Sequence, residues 1–174
     1  MREPARGETG LIILPPPEIR NETNMWRRVY QAYDSSVSPH ITIIYPFIKP
    51  DLWDAERTAI TYSLSDVPCF DVKLRELGTF VRDEIVLWLK PENGRNIMRI
   101  RRKMYGLFAQ RMPYSALSYV PHLTLGFFET VEDMLRARGN VQKQMRPLQF
   151  TVDRIVFAVF EQGGWSIYDH IKLK

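Results

Sequence analysis

Apolar residues alternate with polar ones in some segments and recur three or four positions apart in others, which predicts strands mixed with helices. The predicted strands cover 9–15, about 40–47, 70–77, 84–90, a short segment from His122, 149–160 and 165–173. The predicted helices cover 18–34, 52 to about 64, 97–108 and 130 to about 145. Gly163 and Gly164 between the last two strands predict a tight antiparallel hairpin.

Two five-residue segments repeat one order of residue types: proline, histidine, apolar residue, threonine, apolar residue. They are 39–43, the first motif, and 121–125, the second motif, and they hold two of the three histidines of the chain. Because alternate side chains of a strand point to opposite faces, the histidine and threonine of each motif share one face while the apolar residues face a core. Each motif also precedes a predicted helix and hairpin at nearly the same distance, which indicates a duplicated unit.

This duplication predicts the fold class. Strands and helices in this order give an α+β protein with two similar lobes, in which two mainly antiparallel sheets face each other across a central cleft and the helices lie outside. No segment has the composition of a linker between independent domains, so we expect 1–174 to be a single bilobal domain. The two motifs would then meet at the cleft, one from each lobe.

The composition of the 174 residues is that of a folded globular protein, because 45% are hydrophobic and 25% are charged. The apolar run 11–14 is too short for a signal-peptide core or a membrane span, so neither an export signal nor a membrane partner is expected. Cys69 is the one cysteine, which excludes an intrachain disulfide and a cysteine-based zinc frame. We expect it to be a small buried residue beside Phe70, in a reducing compartment that is cytoplasmic or nuclear.

The positive charge of the chain is unevenly distributed. The net charge is +4, yet the stretch 93–128 has no acidic residue and carries a group of basic ones: Arg95, Arg99, Arg101, Arg102, Lys103 and Arg111. A basic field next to the second motif would attract the phosphates of nucleotides or RNA. A solvated helix face explains the same pattern equally well, since 97–108 has a helical apolar stripe with arginines opposite it.

The residue types of the two motifs suit acid–base chemistry on a phosphate. Cleavage of a phosphodiester needs one group that takes a proton from the attacking oxygen and another that gives a proton to the leaving oxygen, and His40 and His122 can do both near neutral pH. Thr42 and Thr124 would donate hydrogen bonds to the nonbridging oxygens. The motifs lack the carboxylates or thiolates of a metal site, so we expect no metal and no cofactor. His170 matches neither motif and is expected to be structural.

The paired His-x-Thr motifs, with the first strand at 11–15 and the closing segment 152–155, resemble the 2H phosphoesterase superfamily. That group includes the 2′-5′ RNA ligase-like proteins and the plant and fungal cyclic phosphodiesterases. The resemblance implies a bilobal fold with pseudo-twofold symmetry and a catalytic set that consists of His40, Thr42, His122 and Thr124. His122 would be the base and His40 the acid, although the pseudo-symmetry leaves the reverse order open.

The resemblance also implies a function, a metal-independent phosphodiesterase that hydrolyses the 2′,3′-cyclic phosphates of nucleotides or RNA ends. Two alternatives stay open: a phosphodiesterase for 2′-5′ oligonucleotides or RNA tails, and an RNA- or nucleotide-binding module without catalysis. The expected partner is a nucleotide or RNA phosphodiester substrate, and the expected oligomeric state is a monomer.

Tyr45 and Phe127 follow the two motifs at the same distance and are candidate substrate-binding residues. By resemblance, the plant cyclic phosphodiesterases place an aromatic residue near the substrate at the position of Phe127. Strict alternation along a strand turns both rings away from the histidines, so they reach a substrate only if a bulge intervenes, and packing in the core is the favoured interpretation. Trp53, Trp88 and Trp165 are also expected to be packing residues.

Overall fold

The computed structural model describes residues 5–30, 38–110, 119–161 and 164–174. Its helices are α1 Pro17–Val29, α2 Pro50–Leu64, α3 Arg95–Phe108 and α4 Val131–Gln144. Its strands are β1 Thr9–Ile13, β2 Ile41–Ile44, β3 Phe70–Val81, β4 Ile85–Pro91, β5 Leu123–Phe128, β6 Leu148–Val152, β7 Arg154–Glu161 and β8 Gly164–Lys172. The predicted helix end at 31–34 and the turn residue Gly163 lie outside the described residues. Within them, no helix is long and apolar enough to cross a membrane.

The predicted strand 149–160 is wrong as a single element, because the chain divides it into β6 and β7 at Asp153. β6 alternates between buried and exposed residues, whereas β7 is buried almost throughout. Arg154 donates two hydrogen bonds to the Asp153 carboxylate, and the Asp153 carbonyl accepts one from the backbone of Leu173. Aspartate is disfavoured inside strands, and here it marks the point at which the chain changes its pairing partners.

The strands of the described residues form one antiparallel sheet with the order β6-β3-β4-β5-β2-β1-β7-β8. Its middle is narrow, because β5 and β2 meet through one residue pair, Ile41 with Leu123, which we call the joint. On one side lies the first half, β2-β1-β7-β8, with the first motif; on the other lies the second half, β5-β4-β3-β6, with the second motif. The predicted α+β class with two antiparallel halves is confirmed, and the joint makes the halves continuous.

The two halves have the same plan when they are read outwards from the joint. Along the chain, one repeat runs from β1 to β3 and the other from β4 to β8. Each motif strand is followed by the strand that precedes it in its own repeat, β1 or β4, and then by a strand of the other repeat, β7 or β3. The predicted equivalence of the hairpins 70–90 and 149–173 is therefore wrong in detail, since β3 corresponds to β7 and β4 corresponds to β1. Because each half contains a strand from the other repeat, the topology favours one folding unit.

The sheet has a helix face and a site face. The four described helices contribute to the main hydrophobic core on the helix face, together with the fully buried apolar residues of the motifs: Ile41, Ile43, Leu123 and Leu125. The histidines and threonines between these residues are half-buried and point to the opposite face. A smaller cluster of Ile12, Val156 and Ala158 lies on the site face, because Ile12 is the ladder partner of Thr42.

Cys69 is exposed, which corrects the expectation that it is buried. The neighbouring Phe70 begins β3 with its ring buried, so the alternation of the strand turns Cys69 outwards. The backbone N–H of Cys69 donates to the carbonyl of Lys174, which ties the start of β3 to the end of the chain. The apolar neighbour therefore takes the core position that the sequence suggested for the thiol.

Trp88 packs its indole ring over a glycine of the neighbouring strand. Gly78 and Trp88 are partners in the β3–β4 ladder, and a Cβ atom on Gly78 would lie 2.2 Å from the indole Cη2. Trp88 is only 7% exposed and is also the ladder partner of Thr124. The missing side chain at Gly78 lets Trp88 cover the site face beside the second motif, which confirms its predicted packing role.

Replacing Gly78 by alanine is expected to destabilise the protein by about 1–3 kcal/mol, because the new methyl group overlaps the indole of Trp88. The control is Gly106→Ala in α3, where no atom lies within 4 Å of the added Cβ; there the change is expected to be stabilising by about 0.5–1 kcal/mol. Urea unfolding monitored by circular dichroism measures both free energies. Equal effects of the two substitutions would contradict the packing described for Trp88.

Candidate active site

The joint brings the two motifs side by side on the site face. Each histidine directly precedes a residue of the joint. Continuing the antiparallel register by one residue in each direction sets His40 beside Thr124 and Thr42 beside His122. The two histidines therefore lie diagonally across the joint on one face of the sheet. Residues that are far apart along the chain are gathered in one place.

Both imidazoles are held by the same kind of hydrogen bond. Nδ1 of His40 lies 2.8 Å from the carbonyl oxygen of Ser38, and Nδ1 of His122 lies 2.8 Å from the carbonyl oxygen of Val120. A carbonyl oxygen only accepts, so Nδ1 carries the hydrogen in each ring. In the neutral form, Nε2 of each ring then has a lone pair that can take up a proton.

Burial makes both histidines weaker bases than a free imidazole. The pKa of His40 is lowered from 6.5 to about 4. Burial is the largest cause, the Ser38 carbonyl opposes it, and the positive charges of Arg27 and His122 lower the pKa further. Burial also lowers the pKa of His122, against its hydrogen bond to Val120. His122 is among the groups that lower the pKa of His40, in agreement with its diagonal position across the joint.

Arg27 is a charged residue near His40 that sequence reasoning missed. It lies in α1, where its side chain is buried and its Nη1 donates to Asn24 Oδ1 at 3.2 Å. The sequence shows it as one of two adjacent arginines at the end of a helix, which is a common position for basic residues near the negative end of the helix dipole. The packing of α1 against β5, which brings Arg27 near the site, is not visible in the sequence.

A β-bulge follows the threonine in each motif. In β2, Ile12 pairs with Thr42 and Leu11 with Ile44, so Ile43 is an extra residue. In β5, Trp88 pairs with Thr124 and Leu87 with Gly126, so Leu125 is the extra residue. The bulges occupy equivalent positions in the two motifs. Each one reverses the alternation of the residues that follow it.

The bulges correct the expectation that Tyr45 and Phe127 are turned into the core. The ring of Tyr45 packs edge-on against Trp165, which belongs to the site-face cluster, with centroids 5.7 Å apart. The hydroxyl of Tyr45 donates to the carboxylate of Glu8 at 2.5 Å. Phe127 is half-buried, and its neighbour Phe128 packs on the helix face against Tyr30, the residue that follows α1. Both aromatic rings therefore lie on the same face as the histidines.

The arginines and the lysine of 93–128 lie mostly on α3. Arg99 and Lys103 form ion pairs with Asp66 at 2.8 and 3.0 Å, which connect α3 to the end of α2. Arg101 is buried and donates to the carbonyl of Ile43. Arg95 and Arg102 are exposed on the same helix, and Arg111 lies outside the described residues. Among the described members, Arg95 and Arg102 fit the solvated helix face, whereas Arg99 and Lys103 form ion pairs and Arg101 is buried.

Phe80 and Trp88 form an aromatic wall beside His122. The ring of Phe80 meets the imidazole edge-on with centroids 5.0 Å apart, and the indole of Trp88 lies 5.7 Å from it. These two rings limit how the imidazole of His122 can turn. Sequence reasoning missed Phe80, because the predicted strand ended at 77 whereas β3 continues to Val81.

Metal ligands are sparse near the joint. Within the described ranges, no group of three or more histidine, cysteine, aspartate or glutamate residues is arranged to hold a metal ion. The hydrogen-bonding groups of the site are two ring nitrogens and two hydroxyls. Such groups can exchange protons and donate hydrogen bonds to an anion.

The chain is similar along most of its length to curated bacterial proteins. One, GK0864 of Geobacillus kaustophilus (strain HTA426), carries the provisional name of a phosphoesterase and is 26% identical over 168 residues, 92% of each chain. Another with the same provisional name, from Bacillus cereus (strain B4264), is 25% identical over 170 residues, 94% of this chain and 95% of the relative.

Solved structures share the fold. E. coli LigT in complex with 3′-AMP has a TM-score of 0.67 and 17% identity, over 98% of this chain and 99% of that one. The protein TT0787 of Thermus thermophilus has a TM-score of 0.67 and 16% identity, over 95% and 97%. Residues 15–164 match the model of a family described as the 2′-5′ RNA ligase superfamily. The chain therefore belongs to the 2′-5′ RNA ligase superfamily, the group of the 2H phosphoesterases.

Proposed function

We propose that the protein is a metal-independent phosphodiesterase that opens the 2′,3′-cyclic phosphates of nucleotides or RNA ends. One observation carries the proposal: two histidines meet across the joint, and a main-chain carbonyl holds Nδ1 of each. This arrangement leaves Nε2 of both rings to exchange protons on the site face. Two such groups beside one phosphorus atom are what a displacement with simultaneous acid and base catalysis needs.

In the proposed reaction, Nε2 of one histidine takes a proton from a water molecule as its oxygen bonds to phosphorus. The bond from phosphorus to one ribose oxygen breaks, and that oxygen receives a proton from Nε2 of the other histidine. The hydroxyls of Thr42 and Thr124 donate to the nonbridging oxygens, where negative charge increases in the transition state. The product is a nucleoside 2′- or 3′-monophosphate, and the two histidines end with the reverse protonation states.

The electrostatics favour His40 as the base and His122 as the acid. With a pKa of about 4, His40 is neutral at neutral pH and has its Nε2 lone pair available. The pKa of His122 is lowered without a neighbouring arginine among the causes. An anionic phosphate bound at the joint raises the pKa of both imidazoles, and the positive charge of Arg27 opposes this rise at His40, so His122 is the ring proposed to carry the proton. This order is the reverse of the one that the sequence resemblance implies.

The surroundings of the joint support a nucleotide as substrate. Tyr45 and Phe127 present aromatic rings on the site face, where a base can stack. E. coli LigT, which shares the fold, was crystallised with 3′-AMP, and a 3′-monophosphate is one of the two products of opening a 2′,3′-cyclic ring. The relatives are bacterial, so of the two predicted compartments we propose the cytoplasm. We also keep the monomer and the single domain 1–174 as proposals.

Two other functions have weaker support. A linear 2′-5′ oligonucleotide has no strained ring and needs an extended basic groove, but Arg99 and Lys103 are paired with Asp66. A binding module without catalysis has no use for two histidines with equivalent carbonyl hydrogen bonds. The cyclic phosphate is therefore the substrate that the site favours.

The first test is hydrolysis of 2′,3′-cyclic mononucleotides in the presence of EDTA, with the product measured by chromatography. We expect turnover in the parent and a fall in kcat of about 10²- to 10⁴-fold in His40→Asn and in His122→Asn, because each loses one proton transfer. His170→Asn, on the edge strand β8, is the matched control and is expected to keep its activity. Loss of turnover in EDTA would refute the metal-independent mechanism, and full activity in both motif variants would exclude these histidines from catalysis.

Base and acid are distinguished with a leaving group that needs no proton. p-Nitrophenolate leaves bis(p-nitrophenyl) phosphate unprotonated, so an enzyme without its acid still cleaves this ester while one without its base does not. Relative to the parent, His122→Asn is expected to recover on the ester the activity that it loses on the cyclic nucleotide, and His40→Asn is not. Recovery in His40→Asn alone would establish the opposite order.

Acid stability reports the pKa of His40. The ring is neutral in the folded protein and gains a proton on unfolding, so its contribution to stability is complete above pH 6.5 and is lost as the pH falls towards 4. At about 1.4 kcal/mol per pKa unit, the loss reaches about 3 kcal/mol near pH 4. Denaturant unfolding at pH 7 and pH 4 is expected to show a smaller loss in His40→Asn than in the parent. An equal loss would mean that His40 titrates as a free imidazole.

A further inference from the structure

Two side chains connect the motifs across the joint without belonging to either. The Tyr119 hydroxyl donates to the carbonyl of Thr42. Nη1 of Arg101 donates to the carbonyl of Ile43, and the guanidinium lies over the Tyr119 ring, 4.1 Å from its centroid. We infer that Arg101 and Tyr119 are positioning residues, a clamp that sets the distance and orientation between the two catalytic histidines. For its kinetic consequence this inference depends on the proposed function.

The clamp supplies a connection that the sheet lacks. β2 and β5 share only the pair Ile41–Leu123, so backbone pairing alone leaves two motif strands that can rotate about one point. The next two carbonyls along β2, those of Thr42 and Ile43, accept from the clamp. The clamp is a second attachment beside the pair Ile41–Leu123. Two separate attachment points fix the relative direction of two strands, so the clamp removes this rotational freedom.

Each end of the clamp acts on one histidine. Tyr119 is followed directly by Val120, whose carbonyl holds Nδ1 of His122, so a displacement of Tyr119 moves the group that orients that ring. At the other end, the clamp holds the main chain at Thr42 and at the bulge residue Ile43, close to His40. The relative position of the two rings therefore depends on the clamp as well as on the joint.

The chemistry of the clamp suits a fixed structural connection. Arg101 is 8% exposed, and Nη2 donates to the Tyr105 hydroxyl at 3.3 Å while Nη1 reaches Ile43. The planar guanidinium of an arginine can contact a ring and a carbonyl at once. Burial raises the pKa of Tyr119, so the phenol keeps the hydrogen that it donates to Thr42.

The test compares Tyr119→Phe with Tyr105→Phe. The first removes the hydroxyl that reaches Thr42 and keeps the ring under Arg101. The second removes the Tyr105 hydroxyl, which accepts a hydrogen bond from the same guanidinium, and leaves both motifs untouched. It is therefore the matched control. In Tyr119→Phe we expect kcat on 2′,3′-cyclic mononucleotides to fall about 10- to 100-fold with KM within about twofold, the pattern of misplaced catalytic groups. Tyr105→Phe is expected to resemble the parent.

A second measurement does not depend on activity. We define the electrostatic coupling of the histidines as the change in the titration midpoint of His40 that His122→Gln causes. NMR of labelled histidine measures this midpoint. We expect this coupling to be smaller in Tyr119→Phe than in the parent or in Tyr105→Phe. Should Tyr119→Phe fail to fold, Arg101→Lys, which keeps the charge but loses the planar group, is expected to show the same two changes.

Unchanged coupling together with unchanged kcat per folded molecule in Tyr119→Phe would overturn the inference, even if the melting temperature falls. Equal losses in Tyr119→Phe and Tyr105→Phe would overturn it as well, because they would reduce the clamp to general packing. If the parent turns over no cyclic phosphate, the proposed function fails, whereas the NMR coupling still decides whether the clamp positions the histidines.

Discussion

The arrangement of the site depends on a single backbone pairing, between Ile41 and Leu123. This pairing sets the register of the two motifs, and the register sets each histidine beside the threonine of the other motif. The apolar residues of the same pairing are fully buried on the helix face, so the free energy gained by burying them also holds the polar residues at the opposite face. Because side chains alternate along a strand, burial of the apolar motif residues in the core also fixes the histidines and threonines on the site face.

The environment of the joint then gives ordinary residues unusual properties. Main-chain carbonyls fix the tautomer of both histidines, and burial lowers the pKa of each. The bulges at Ile43 and Leu125 turn Tyr45 and Phe127 towards the same face. None of these effects needs a rare residue type. They follow from where the backbone places common side chains and from how much water remains around them.

Sequence reasoning recovered the features that have a local cause. The repeated order of residue types at 39–43 and 121–125 was enough to predict which side chains share a face, and the apolar spacing was enough to predict the helices. The sequence indicated that Tyr45 and Phe127 can face the substrate only if a bulge intervenes. It could not locate the bulges, because a bulge depends on the partner strand. The role of Arg101 was missed for the same reason, since its acceptor is a carbonyl of a distant strand. Phe70 occupies the core position and Cys69 is exposed. The residue types alone do not decide between these two arrangements.

The exchange of β3 and β7 between the halves has a consequence for how the chain reaches its native state. β1 finds one of its partners, β7, only near the other end of the polypeptide. An edge of β1 therefore stays unpaired until β7 has been synthesised, and closing so long a loop is entropically slow. Neither half of the sheet can be completed without a strand from the other repeat. Fragments cut between the repeats would each expose an unpaired strand edge.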